Sequence, residues 1–232
     1  MQLINVIFVN FDRDSLKREL SLQEAAKEPL ELITSRLSVS DVVASYDLSS
    51  LLTQFHPGSR QWMYDRVNRW LDDQAAAAKA GTPAPPRLFL LLADAGMGKS
   101  VFSSVLSKKL VVRTNGEPDL VVVQHFFKIG QRRGQGRAMV LCLALQLAEK
   151  VEGFALCLEP VAEEHGDGSQ LPSLSDVFEE FMLEPLTILD QQRAKAGSVL
   201  CRPRVLILLD ALDESDDSGA GWEPVSRLVA TQ

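Results

Sequence analysis

Three cysteines, three histidines and two tyrosines in 232 residues leave the chain poor in side chains that carry redox or metal chemistry. Cys142, Cys157 and Cys201 form no pair at metal-ligand spacing, and an odd count makes a poor disulfide framework. They read as buried apolar thiols in a reducing setting. His56, His125 and His165 lie too far apart for a zinc pattern. No apolar run is long enough to span a bilayer. The opening MQLINVIFVNFDRDS has no basic stretch ahead of its apolar residues and breaks at Asn10 and Asp12, so it does not read as a secretory signal. A cytoplasmic protein with no membrane partner is expected. A basic excess is missing too: the formal net charge is −7, which argues against a nucleic-acid partner. What is present is a chain 46% hydrophobic, enough for one good-sized core.

Periodicity divides this chain. Residues 14–45 carry Leu16, Leu20, Leu30, Ile33 and Leu37 on a helical pattern, with Pro29 expected to separate two short helices. The whole 1–54 segment reads as an N-terminal helical extension without chemistry of its own. After a turn at His56-Pro57-Gly58-Ser59, an amphipathic helix carries Trp62, Val67, Trp70 and Leu71 and ends near alanines 75–78. Its two tryptophans are expected to pack it onto the domain. Residues 81–86 form a linker. Arg87 to Leu92 is a continuous apolar run and predicts a strand buried on both faces.

Further along, the pattern predicts a helix over 99–110, a turn at 115–118, a strand over 120–127 and a mostly apolar helix over 138–151. A helix over 173–192 with a kink at Pro185 and a strand over 205–209 follow, and 225–230 starts a last helix. There is no internal repeat. Strands alternating with helices predict an α/β fold over 55–232, with a mainly parallel sheet in a three-layer α/β/α arrangement.

The segment Ala93-Asp94-Ala95-Gly96-Met97-Gly98-Lys99-Ser100 has the residue types a polyphosphate requires. Small residues let backbone N–H groups converge on one anion. Gly96 and Gly98 permit backbone angles and close approach that a Cβ obstructs. The helix opening at Lys99 adds its partly positive end. Asp94, Ala95, Gly96, Met97, Gly98, Lys99, Ser100 and Val101 are therefore the candidate nucleotide-binding residues. Lys99 supplies a compact cation for the β and γ phosphates, and the Ser100 hydroxyl is suited to Mg²⁺. Ala93 stands where the pattern has its first glycine.

A second motif closes the apolar run Val205-Leu206-Ile207-Leu208-Leu209 with Asp210. A strand ending in aspartate puts a carboxylate at the C-terminal edge of a sheet, where open α/β folds bind ligands. Asp210 is the candidate metal partner, acting with Ser100. Asp213 and Glu214, one turn on, are candidates to orient or activate an attacking water.

Together, ADAGMGKS and LILLDALDE resemble the NACHT branch of the signal-transducing P-loop ATPases. PGSRQWMYDRVNRWLDD, VVVQHFFKIGQRRGQGRAMVLCLALQLA and FEEFMLEPLTIL resemble segments of its nephrocystin-like and fungal-type members. The likeness runs from about Phe55 to Glu214. It implies an ATP- or GTP-controlled switch, slow in hydrolysis, that governs self-association and protein partners. It also implies a nucleotide-base contact near Pro57–Arg60, and a sensor arginine, a winged helix and sensing repeats beyond Gln232. The chain accordingly reads as incomplete at its C-terminus, with weak hydrolysis by the residues present.

Two other functions compete: a protein-interaction module that binds nucleotide structurally or not at all, and a small-molecule kinase. The Asp-Ala-Leu-Asp-Glu end and the lack of an obvious basic lid speak against the kinase. The basic stretch Lys128–Arg137 reads as a solvated loop, with a neighbour-facing arginine as the alternative. His125 reads as a packed residue at a strand end.

Overall fold

The computed structural model describes residues 27–44, 48–82, 87–94, 96–114, 120–195 and 204–215. The expectations for the opening segment, the Pro-rich linker 83–86, the turn at 115–118, Cys201 and the helix at 225–230 lie outside these residues. Among the described residues the order is α1 (Lys27–Leu37), α2 (Ser40–Ala44), α3 (Leu48–Thr53), α4 (Gln61–Ala80), α5 (Lys99–Thr114) and β1 (Leu120–Phe126). It continues with α6 (Gly136–Lys150), α7 (Phe154–His165), α8 (Leu174–Phe178), α9 (Glu184–Lys195) and β2 (Arg204–Asp210). The result is a helix-rich α/β arrangement.

The sheet has two parallel strands among the described residues, in register from Leu120 opposite Arg204 to Phe126 opposite Asp210. Phe127 N–H donates to Asp210 O at 3.0 Å and extends the pairing by one residue. Both strands are apolar along most of their length because each face meets helices. Leu120 and Val122 join Leu206 and Leu208 against α4 and α5. Val121 and Val123 join Val205, Ile207 and Leu209 against the other helices. The two-residue alternation of a strand thus divides one apolar run between two cores.

On the larger side, α6 is buried continuously from Ala138 to Ala148. A helix apolar all round belongs in an interior. Burying side chains such as Leu143 and Leu147 contributes about 1.5–3 kcal/mol each. Ile33, Leu37, Val39 and Val42 of the first two helices lie in this same cluster. These two helices meet at Ser38, a non-glycine at φ 53°; the helix expected ahead of Pro29 lies outside the described residues. Pro29 sits in the first turn of α1, where its missing N–H removes no intrahelical bond. Helix α7 has no counterpart in the sequence reading, because Pro160 lies inside it and masked the pattern.

A kink is expected at Pro185; the structure has a π-helical turn at Glu179–Leu183, ending two residues before it. Pro185 has no N–H for the regular ladder. Ser173 starts this helical stretch with a capping box shared with Asp176.

Two expectations fail on the smaller side. No strand forms at 87–92 among the described residues: Leu88, Leu90 and Leu92 are exposed while Phe89 and Leu91 face the α4–α5 core. The alternation is that of a strand, but among the described residues no neighbouring strand pairs with it. Trp62 is 65% exposed and does not anchor α4. The buried face is Tyr64, Val67 and Leu71, with Trp70 set against Phe89 at 5.7 Å between ring centroids. Helix α4 also runs past the alanines to Ala80.

Candidate functional site

The turn at Asp94–Gly98 delivers the chain into α5. Met97 N–H donates to Asp94 O at 3.3 Å, and the helix begins with Phe102 N–H to Gly98 O at 3.1 Å. Gly96 and Gly98 have φ of 76° and 69°, a region that a side chain makes costly. The N–H groups at the start of α5 precede the first helical bond and have no intrahelical acceptor. Ala95 lies outside the described residues. Lys99 folds back over the turn, its Nζ 2.8 Å from Ala93 O and 3.2 Å from Asp94 O. Its ammonium therefore sits at the mouth of the loop.

Arg60 grips this turn from α4. One guanidinium nitrogen donates to Gly98 O at 2.7 Å and the other to Met97 O. Arg60 caps α4 in the left-handed region, at φ 58°. Beside it lies a cavity of about 260 Å³, lined by residues including Phe55, His56, Arg60, Tyr64, Gly98 and Val101. Tyr64 stacks on Phe102 at 4.6 Å, and its hydroxyl is buried without a hydrogen-bond partner among the described residues. Burial raises the Tyr64 pKa.

Asp210 is buried at the end of β2 and accepts from Ser103 Oγ at 2.7 Å. That bond joins residues 107 apart in sequence and fastens the acidic strand end to α5, the helix that follows the Gly96–Gly98 turn. Ser100 lies three residues before Ser103, on the neighbouring helical position. Ser103 was missed in the sequence, although Ser100, Ser103, Ser104 and Ser107 recur at helical spacing. Ser104 Oγ donates to Ser100 O at 2.7 Å, and Ser107 bonds the Gln124 side chain of β1. Gln146 of α6 then donates to Gln124 O at 2.8 Å and accepts from its N–H at 3.0 Å. Small hydroxyls let α5 approach the sheet closely while satisfying buried acceptors.

The acidic turn beyond Asp210 is held from elsewhere. Ala211 adopts φ 56°, and Leu212–Glu214 forms a 3-10 turn. Glu214 accepts from Ile129 N–H at 3.3 Å and faces Lys128 Nζ at 3.7 Å; Asp213 is exposed. The stretch 128–137 is therefore no plain solvated loop. It contains a 3-10 turn at Arg132–Gly134, and Arg132 donates to Ser38 O at 2.5 Å and pairs with Asp41 at 3.3 Å. A Cβ at Gly134 would lie 2.7 Å from Lys128 O, so glycine is required by close approach. His125 is fully buried, bonded through Nε2 to Arg133 O at 2.7 Å. Burial lowers its pKa from 6.5 to about 4, opposed by that hydrogen bond.

The donor set suits a magnesium–polyphosphate pair better than a metal held by protein alone. Among the described residues no cluster of three or more His, Cys, Asp or Glu could hold an ion. Magnesium commonly needs only one or two protein oxygens when phosphates supply others. Ser100, at the start of α5, and Asp210, at the end of β2, are the two residues that would supply such oxygens if magnesium and polyphosphate were bound. No described helix is long and apolar enough to cross a membrane. No curated protein and no solved structure matches the chain. The profile of the family "Nephrocystin 3, N-terminal" matches residues 58–231, from the turn before α4 through both motifs. The chain belongs to the nephrocystin 3 N-terminal family.

Proposed function

We propose that this chain is a P-loop NTPase of the NACHT type, binding a nucleoside triphosphate (ATP, with GTP as the alternative) together with Mg²⁺ and hydrolysing it slowly as a regulatory switch. The observation that carries this reading is the Ser103–Asp210 hydrogen bond, which draws the end of β2 onto the helix opened by Gly98-Lys99-Ser100. Two segments with complementary chemistry, a polyphosphate turn and a carboxylate, thereby share one place. In this reading backbone N–H groups from Asp94 to Val101 and the Lys99 ammonium bind phosphate, while Ser100 and Asp210 hold the cation. Bound there, Mg²⁺ would offset the charge on the phosphate oxygens. Asp213 and Glu214 carry the hydrolytic role.

The switch acts through protein partners or self-association. A second reading, a non-hydrolysing protein-interaction module that binds nucleotide structurally or not at all, draws support from Glu214. One of its carboxylate oxygens, Oε2, is engaged by Ile129 N–H and Lys128 and so is tied to the loop after β1.

The test is thermal unfolding with and without Mg-ATP. Ligand at a hundredfold over Kd stabilises the folded state by about 2.7 kcal/mol. Lys99→Ala should abolish the shift. No shift in the parent chain, or an equal shift in the variant, refutes the site. Phosphate release that survives Asp213→Ala combined with Glu214→Ala refutes the assignment of those two carboxylates as the hydrolytic pair; no release by the parent chain, with Mg-ATP still bound, favours the second reading.

A further inference from the structure

We propose that Arg60 is a positioning residue of the phosphate loop: by holding the Met97 and Gly98 carbonyls it aims the next two N–H groups at the bound polyphosphate. The proposal rests on the nucleotide reading above and names the device that preorganises its site. Its basis is the pair of bonds from one guanidinium to consecutive carbonyls. In a trans peptide the C=O and the following N–H point in opposite directions. Fixing Met97 O and Gly98 O against Arg60 therefore turns the N–H groups of Gly98 and Lys99 away from it, free to converge on an anion. Without the grip, a turn built on two positive-φ glycines has several accessible arrangements, and ligand binding must order it.

Three further observations fit this role. An ideal Cβ at Gly98 would lie 3.0 Å and 3.1 Å from the two terminal guanidinium nitrogens. A side chain at Gly98 would thus crowd the Arg60 fork and push it by a few tenths of an ångström, besides straining the backbone angle. Arg60 itself is a non-glycine held at φ 58°, a costly conformation that persists where contacts over-determine it. Its carbonyl also accepts from Met63 N–H at 2.9 Å, so the grip is built on the first turn of the 20-residue helix α4. Arginine suits the task because its rigid fork presents parallel donors, which a lysine ammonium does not.

Calorimetric titration of the full chain with Mg-ATP, and separately with inorganic tripolyphosphate, tests this at two salt concentrations. Arg60→Ala should weaken both ligands by the same factor, about tenfold or more, as expected when charged hydrogen bonds are lost. The dependence of affinity on salt should stay that of the parent chain, because Arg60 acts through carbonyls and not on phosphate directly. Arg60→Lys, which keeps the charge and one donor group, should recover only part of the loss. If Arg60→Ala does not fold, the lysine variant carries the same comparison.

Unchanged affinity in the variants overturns the proposal. Loss confined to Mg-ATP, with tripolyphosphate untouched, would instead identify a contact to the base in the 260 Å³ cavity and also overturn it. So would a loss accompanied by a flattened salt dependence, the mark of direct phosphate contact. A parent chain that binds neither ligand defeats the nucleotide reading itself, a result distinct from every variant outcome.

Discussion

Acidification should destabilise this protein through His125, and the amount follows from its surroundings. The side chain is fully buried, with Nε2 bonded to Arg133 O and the ring 4.6 Å from that of Phe127. Desolvation lowers its pKa from 6.5 to about 4. Between those values the unfolded chain binds a proton that the folded chain refuses, so stability falls as pH falls. The contribution is complete above 6.5, is lost progressively down to about 4, and does not change further below that. At 1.36 kcal/mol per pH unit the interval corresponds to about 3 kcal/mol. Carboxylates titrate in the same range, so the informative quantity is a difference. Urea unfolding at pH 7.5 and pH 4, for the parent chain and His125→Gln, should show the parent losing about 3 kcal/mol more than the variant. Equal losses, or a His125 ring that titrates at 6.5 or above by NMR, would refute the reasoning.

Ser103→Ala should cost about 1–3 kcal/mol in chemical unfolding, because it strips the buried Asp210 carboxylate of a donor. Gly134→Ala places a Cβ against the Lys128 carbonyl at 2.7 Å; a loss of about 1–3 kcal/mol is expected, read from the same transition. Trp62→Ala, at a side chain 65% exposed, should move the midpoint by less than about 0.5 kcal/mol. Tyr64→Phe removes a buried hydroxyl lacking a partner among the described residues, and should leave stability unchanged or raise it by up to about 1 kcal/mol.

The larger elements were legible because their signals are local. Continuous apolar runs bounded by polar residues gave both paired strands to within two residues, and α5 and α6 followed from their apolar content. The same rule failed at 87–92. An apolar run states that a segment can be a strand, whereas pairing depends on another backbone lying alongside. Trp70 packs as expected, against Phe89, but Trp62 misled for a related reason. Residue size suggested an anchor, but the face of α4 that meets the core is set by where Phe102 and Leu106 lie, and that face carries Tyr64, Val67 and Leu71.

The candidate site divides in the same way. Glycines 96 and 98, Lys99, Ser100 and Asp210 could be nominated from residue type and spacing, since the chemistry of a polyphosphate turn is written in a few consecutive residues. Ser103, Arg60 and the hold of Ile129 on Glu214 could not. Each is a contact between segments distant in sequence, and no local pattern records which donor will face which acceptor. By itself the sequence determined the composition of the turn, the acidic strand end and the helices and strands that carry them. Only the tertiary structure decided that Asp210 meets Ser103, that Arg60 grips the turn, and that a loop after β1 engages Glu214 after β2. Hydrogen bonds reach about 3 Å, and which groups come within that reach is a property of packing.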